Sequence, residues 1–383
     1  MKNILILGAT GSIGCSTIDV IKAHPNTFRA QALVANTNIN KLAELALDVQ
    51  PEAVGIYDET RLDELKTLLN GSGIAIYSGK SGVNELIAKG YDLTMSAIVG
   101  IAGLTPTMNA IKSSRTVALV NKESLVCAGE LIMAQAKKYN CTILPVDSEH
   151  SAIFQVFENN NLRQIDKVIL TASGGPFRKM TAEEMAVVTP AAAIAHPNWK
   201  MGPKVSLDCA TLINKGLEYI EACVLFPVTP DQVDVVIHPE SIIHSLVSYK
   251  DGSTLAQLGH PDMRTPISFA ISYPERIEIK HKTLNLHEIG TLNFSAPDYN
   301  RFPMLKMAME SMRAGLAHRI ILNAANEEAG QAFLSNRIKF PDIAKLVGNA
   351  MEQSPHRNPD SVEEVLGLDK MIRAEIALKI AQC

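Results

Sequence analysis

A chain of 383 residues exceeds the ~250–300 at which a single hydrophobic core stops growing, so two or three domains are expected. Apolar residues are 46% of the chain and charged residues 20%, which excludes a disordered or coiled-coil protein. The 36 basic and 40 acidic side chains sum to −4 without long like-charge blocks, so no nucleic-acid footprint exists and any anionic ligand needs a local site.

From Lys2 to Val146, short β-branched runs alternate with helical patterns. ILIL (4–7) precedes a helix over Ser12–Ala23, AQALVA (30–35) one over Asn40–Val49, and AVGIY (53–57) one over Thr60–Leu69. DLTMSAI (92–98) precedes Thr105–Lys112, and TVALV (116–120) precedes Ser124–Lys138 and TILPV (142–146). This alternation predicts βαβ units around a parallel sheet. Beyond it, VILTASGGPF (168–177) reads as a strand ending in a glycine turn, and PAAAIAHPNWKMGPK (190–204) has no sustained period. An irregular stretch of that length predicts a functional loop, here a lid near 193–203 carrying His196, Trp199 and Met201. One helix over Cys209–Leu225 follows, then strands VDVVI (233–237) and SIIHSLVSY (241–249). Residues 280–303 read as an extended linker, and Met304–Gly315, His318–Asn336, Phe340–Glu352 and Ser361–Ala381 as a C-terminal helical bundle.

Met1-Lys2-Asn3 runs straight into the first strand, which leaves no room for a targeting peptide, and no apolar run reaches the ~18–20 residues of a membrane span. The cysteines at 15, 127, 141, 209, 223 and 383 have no CxxC spacing. A cytoplasmic, reducing location is expected, with neither membrane nor nucleic acid as partner.

Two constellations carry chemistry. GATGSIG (8–14) follows the first strand and opens a helix, the context in which glycines let a pyrophosphate approach backbone N–H groups. The end of the second strand, VANTNIN (34–40), offers no acid for a ribose 2′-hydroxyl, while Thr37 and Asn38 could bond a 2′-phosphate, favouring NADP over NAD. In LPVDSEHSAIFQ (144–155), Asp147 and Glu149 at a strand end point to one side and suit Mg²⁺ or Mn²⁺, with a helix N-cap as the alternative reading. Asn214, Lys215 and Glu218 on one helix turn suit a phosphorylated, metal-chelated substrate, with a solvated helix face as the alternative. His150, His196, His238 and His244 are each compatible with a structural role.

GATGSIGCST (8–17), LVNKESLV (119–126), PVDSEHSAIFQ (145–155), LTASGGPF (170–177), HPNWKMG (196–202), ATLINKGLE (210–218), IHPESIIHS (237–245) and LAQLGHPDMRTP (255–266) together resemble the 1-deoxy-D-xylulose 5-phosphate reductoisomerase family. The resemblance runs to LNAANEEA (322–329). It implies an NADPH- and metal-dependent enzyme that rearranges and reduces 1-deoxy-D-xylulose 5-phosphate to 2-C-methyl-D-erythritol 4-phosphate in non-mevalonate isoprenoid biosynthesis, with Mg²⁺, Mn²⁺ or Co²⁺ as metal. It further implies a homodimer with an α/β fold: a Rossmann-type parallel-sheet domain (1–148), a central α/β catalytic and dimerisation domain (149–279), a linker (280–303) and a C-terminal helical bundle (304–383). Carried over by position, the metal ligands fall on Asp147, Glu149 and Glu218, and the catalytic residues on Lys122, Glu149, His196 and His244. Substrate contacts fall on Ser148, Glu149, Ser173, His196, Cys209, Asn214, Lys215 and Glu218. Cofactor contacts fall on Thr10, Gly11, Ser12, Ile13, Asn36, Thr37, Asn38, Asn121, Glu123 and Gly202. The chain departs from the family pattern at NTN (36–38), where a cation is usual, and at Cys209, where a serine is usual. A metal-independent Rossmann dehydrogenase of a small hydroxy or aldehyde substrate and a non-catalytic NADP-binding protein are the rival readings.

Overall fold

The first strand, β1 (Lys2–Leu7), buries Ile4 to Leu7 completely, as a strand covered on both faces must. The computed structural model describes the whole chain except residues 196–198, 200, 354–356 and 383. After β1 come α1 (Ser12–Ala23), β2 (Phe28–Ala35), α2 (Ile39–Val49), β3 (Ala53–Ile56), α3 (Leu62–Leu68), β4 (Ala75–Ser78), α4 (Gly79–Ala88), β5 (Leu93–Ser96), α5 (Leu104–Ser113), β6 (Thr116–Leu119), α6 (Lys122–Tyr139), β7 (Thr142–Pro145) and α7 (Ser148–Val156). The seven strands form one sheet in the order β4-β3-β2-β1-β5-β6-β7, with every pairing parallel. The order reverses at β1, so the GATGSIG turn leaves the sheet at its switch point, where doubly wound sheets bind ligands. The pair β4–α4 has no counterpart in the sequence reading. Its strand is four partly exposed residues, and its helix opens on glycine, so neither period stands out.

The second half contains β8 (Ile165–Ala172), α8 (Ala182–Met185), α9 (Pro190–Ala193), α10 (Pro203–Ala210), α11 (Ile213–Leu225), β9 (Val233–Ile237), β10 (Ile243–Tyr249) and β11 (Thr254–Leu258). The helices α12 (Arg264–Ser272), α13 (Leu286–Ile289), α14 (Pro303–Ala314), α15 (Leu316–Leu334), α16 (Phe340–Glu352) and α17 (Val362–Ile380) complete the chain. The second sheet runs β11-β10-β8-β9, with β10 antiparallel to both neighbours and β8 parallel to β9. Fourteen residues of α15 are buried, which makes it the central helix of the C-terminal bundle. Among the described residues, no helix is long and apolar enough to cross a membrane.

The chain divides into two compact units that are not contiguous in sequence. The first comprises Met1–Ser124, Ile132–Ser151 and Asp262–His281, and the second Leu125–Leu131, Ala152–Pro261 and Lys282–Cys383. This differs from sequential boundaries at 148, 279 and 303 because α12 belongs to the first unit. There it buries Ile267, Ala270 and Ile271, and the Lys2 ammonium donates to the Ile271 carbonyl at 2.7 Å. The 280–303 segment is tied down by backbone pairing of Ile237 with Ser295 and by His238, whose Nδ1 lies 2.9 Å from the Asn293 carbonyl. The single helix expected over Cys209–Leu225 is two helices, broken at Leu212 with φ +60. The hydroxyl of Thr211 bonds the local backbone there, and neither glycine nor proline marks the break.

Candidate active site

In the first unit, β1 runs into Gly8, whose φ of +84 and an added Cβ only 2.6 Å from the Ala97 carbonyl oxygen admit no side chain. An added Cβ at Gly14 would lie 2.5 Å from the carbonyl oxygens of both Gly8 and Ala9, so α1 packs directly on the loop. Gly11 precedes α1 without any side-chain cap, Gly11 and Ser12 are exposed, and Thr10 and Ile13 are half-buried. The opening turn of α1 is thus offered to an anion. Gly14→Ala is expected to raise the KM for NADPH at least ~10-fold because the loop must move to admit the methyl group. Unchanged cofactor titration would contradict this role.

Asn36, Thr37 and Asn38 are all exposed after β2. Asn38 caps α2, its side-chain oxygen accepting from Lys41 N at 3.1 Å. Asn121 caps α6 by accepting from Ser124 N at 2.7 Å, and its amide donates to the Ile98 and Gly100 carbonyls. That side chain therefore anchors the loop after β5. Glu123 is buried in the first turn of α6.

β7 stops at Pro145, and the Asp147 carbonyl accepts from Ser151 N at 2.8 Å. Asp147 and Glu149 therefore open α7 rather than alternating on a strand. The cap reading holds for the backbone of Asp147 but not for its carboxylate, which faces Lys122 in an ion pair with side chains 12% and 13% exposed. Asp147 Oδ2 is buried, yet no well-directed hydrogen bond reaches it, so charge rather than bonding geometry holds this pair. Ser148 Oγ donates to Glu149 Oε2. One lysine and two carboxylates thus meet where α6 and α7 begin.

In the second unit, β8 runs into Ser173, Gly174 (φ +82) and Gly175 (φ +67), with Gly175 N donating to Ser173 Oγ at 3.2 Å. Cys209 closes α10 instead of opening the next helix. On α11, Glu218 accepts from Asn214 Nδ2 on one oxygen and pairs with Lys215 on the other. Lys215 and Glu218 are 3% and 1% exposed, which excludes a solvated helix face. His244 is buried, and its ring centroid lies 6.2 Å from that of Trp199. Gly202 is exposed and precedes α10. His196 lies outside the described residues, as do Pro197, Asn198 and Lys200 of the expected lid. Asp208 and Asn326, two buried residues joined by a 3.0 Å hydrogen bond, are functional candidates that nothing in the sequence singles out. A pairing across 118 positions leaves no local signal.

A doubly wound parallel sheet with a glycine turn at its switch point, together with a second unit bearing a buried lysine–carboxylate cluster, defines a Rossmann-type α/β oxidoreductase. The chain belongs to the 1-deoxy-D-xylulose 5-phosphate reductoisomerase family. The family's sequence profile matches residues 4–129, and the profiles of its two C-terminal domains match 143–226 and 258–375. The 1-deoxy-D-xylulose 5-phosphate reductoisomerase of Rhodospirillum centenum is 48% identical over 369 residues, covering 96% of this chain and 92% of the relative. The enzyme from Zymomonas mobilis, solved in complex with NADPH, is 44% identical with a TM-score of 0.94, covering 99% of this chain and 98% of that one. A DOX-P reductoisomerase solved with NADPH, fosmidomycin and magnesium is 41% identical with a TM-score of 0.95, covering 100% and 98%.

Proposed function

We propose that this chain converts 1-deoxy-D-xylulose 5-phosphate into 2-C-methyl-D-erythritol 4-phosphate, using NADPH and a divalent cation, in non-mevalonate isoprenoid biosynthesis. The observation that carries the reading is the Asp147 carboxylate, which is turned away from its capping duty toward Lys122 while one buried oxygen lacks a directed donor. Both implied groups fit the residues present. Asp147, Glu149 and Glu218 offer only hard oxygen donors, the set that Mg²⁺ or Mn²⁺ prefers, and Co²⁺ accepts it too. Gly8 and Gly14 let the loop pack against its own backbone more closely than a Cβ would allow, and the exposed, uncapped start of α1 after Gly11 lies where a pyrophosphate sits in this fold. When bound, the cation supplies Lewis acidity and the dinucleotide supplies hydride.

The chain's own groups do the rest. Asp147, Glu149 and Glu218 hold the cation, and Ser148 and Glu149 contact the substrate. The Lys122 ammonium beside Asp147 stabilises oxygens that become negative during rearrangement. Ser173, Cys209, Asn214 and Lys215 hold the phosphate, with the buried Lys215 supplying charge where water cannot screen it. His244, edge-on to Trp199, covers the carbon skeleton, a role that the family resemblance also gives His196. Thr10, Gly11, Ser12 and Ile13 receive the pyrophosphate, Asn36, Thr37 and Asn38 the 2′-phosphate end, and Asn121, Glu123 and Gly202 the nicotinamide end. A homodimer in the cytoplasm completes the reading, checked by sedimentation of the purified chain.

EDTA should abolish substrate-dependent NADPH oxidation, and Mg²⁺ or Mn²⁺ should restore it. Turnover that survives chelation would favour the metal-independent dehydrogenase. Cys209→Ser should lower the KM for substrate several-fold, on the order of the ~0.5–1.5 kcal/mol of one net hydrogen bond, because a hydroxyl donates better than a thiol. Burial pushes the thiols of Cys141 and Cys223 up to about 11 and about 12, so they stay protonated at neutral pH. Half-buried Cys209 should then be alkylated by iodoacetamide ahead of both and be protected by substrate. Equal labelling with and without substrate would remove Cys209 from the phosphate site.

A further inference from the structure

Helix α10 sits at a junction within the second unit. It begins directly after Gly202 and ends two residues before α11, which carries Asn214 and Lys215. Its last turn also bears on the serine turn: an added Cβ at Gly175 would lie 2.5 Å from the Cys209 carbonyl oxygen, so only glycine lets Ser173–Gly175 approach α10 this closely. Any shift of α10 therefore moves both groups of residues assigned to the phosphate.

What fixes α10 is a buried carboxylate. Asp208 is 4% exposed, its Oδ1 accepts from Asn326 Nδ2 of α15 at 3.0 Å, and its Oδ2 pairs with Lys204 one turn earlier at 2.9 Å. Asn326 is 2% exposed. Its neighbour Glu327 lies 4.0 Å from Lys204 and 2.6 Å from Arg373, which also binds Asp369 of α17 at 2.7 Å. Gly330, one turn further along α15, leaves room for Leu207, whose Cδ2 would be 3.3 Å from an added Cβ. One carboxylate thus takes an amide from the bundle and an ammonium from the start of its own helix, and the bundle side is itself braced by Arg373.

We propose that Asp208 and Asn326 are a positioning pair through which the C-terminal bundle sets substrate affinity. They hold α10 so that the Ser173 turn and the α11 residues Asn214 and Lys215 converge on the substrate phosphate. This rests on the phosphate assignment above. Both residues are buried, and Asp208 sits in the last turn of α10 beside Cys209 rather than at its start by Gly202, so the effect is expected on substrate KM more than on cofactor binding.

The test is a polarity-inversion cycle in the full-length protein, reading KM for 1-deoxy-D-xylulose 5-phosphate, kcat, KM for NADPH and thermal midpoint. Asn326→Asp sets two carboxylates against each other and should raise substrate KM about tenfold, with kcat and KM for NADPH within about twofold. In the double variant Asp208→Asn with Asn326→Asp, the amide donates the other way, and substrate KM should return to within about twofold of wild type. Should Asn326→Asp fail to fold, Lys204→Met, which removes the second partner of Asp208, should still raise substrate KM about threefold. A lowered midpoint with unchanged substrate KM, or a double variant no better than the single, overturns the proposal. Ser173→Ala separates the two readings. If it raises substrate KM while Asn326→Asp does not, only the positioning pair fails, and if Ser173→Ala itself changes nothing, the phosphate assignment fails first.

Discussion

Glu149→Gln will lower kcat at least ~100-fold, about 2.7 kcal/mol of barrier at ~1.36 kcal/mol per tenfold, and leave NADPH affinity within about twofold. Glutamine replaces one hard anionic oxygen by an amide nitrogen that cannot ligate a cation, and it disturbs the bond from Ser148 Oγ to Glu149 Oε2. The cofactor loop should not feel the change. It leaves the sheet after β1 while Glu149 follows β7, three strand positions away in the order β1-β5-β6-β7, roughly 14 Å at ~4.8 Å per strand. Turnover above about a tenth of wild type would remove Glu149 from the ligand set.

Lys215→Met is expected to cost stability as well as binding. Removing one partner of a buried ion pair leaves the other charge uncompensated, at ~3–5 kcal/mol, and Glu218 would be that charge at 1% exposure. Asn214 would still donate to Glu218, but a neutral amide does not cancel a carboxylate. Urea denaturation should show the loss, and adding Glu218→Leu should recover most of it while activity stays absent, since the proposed phosphate cation and a proposed metal ligand are both gone. A loss below ~1 kcal/mol in Lys215→Met would mean that water reaches and screens the pair, which would count against Lys215 as the phosphate cation.

The first unit was the more legible half, for a physical reason. Strands buried on both faces, such as Ile4–Leu7, read as continuous apolar runs, and α1 starts and stops at the residues its pattern marks, Ser12 and Ala23. The glycine turn was legible because φ > 0 at Gly8 and the backbone approach at Gly14 each demand glycine. What escaped depends on contacts distant in sequence or on conformations that no residue type announces. Leu212 turns left-handed and splits one expected helix, which moves Cys209 from a helix start to a helix end. α12 groups with the first unit, where its apolar face is buried, a pairing distant in sequence. Asp147 and Glu149 were identified as a pair, but the turn into α7, and the choice of Lys122 over the helix N–H groups, are tertiary facts.

The most direct measurement of the central claim follows NADPH absorbance in the presence of 1-deoxy-D-xylulose 5-phosphate, with metal-free protein and with added Mg²⁺ or Mn²⁺. The account predicts no oxidation without metal, stoichiometric oxidation with it, and 2-C-methyl-D-erythritol 4-phosphate as the product in the mass spectrum. Oxidation of NADPH at an undiminished rate in metal-free protein, or metal-loaded protein that binds NADPH and leaves the substrate unchanged, would contradict it.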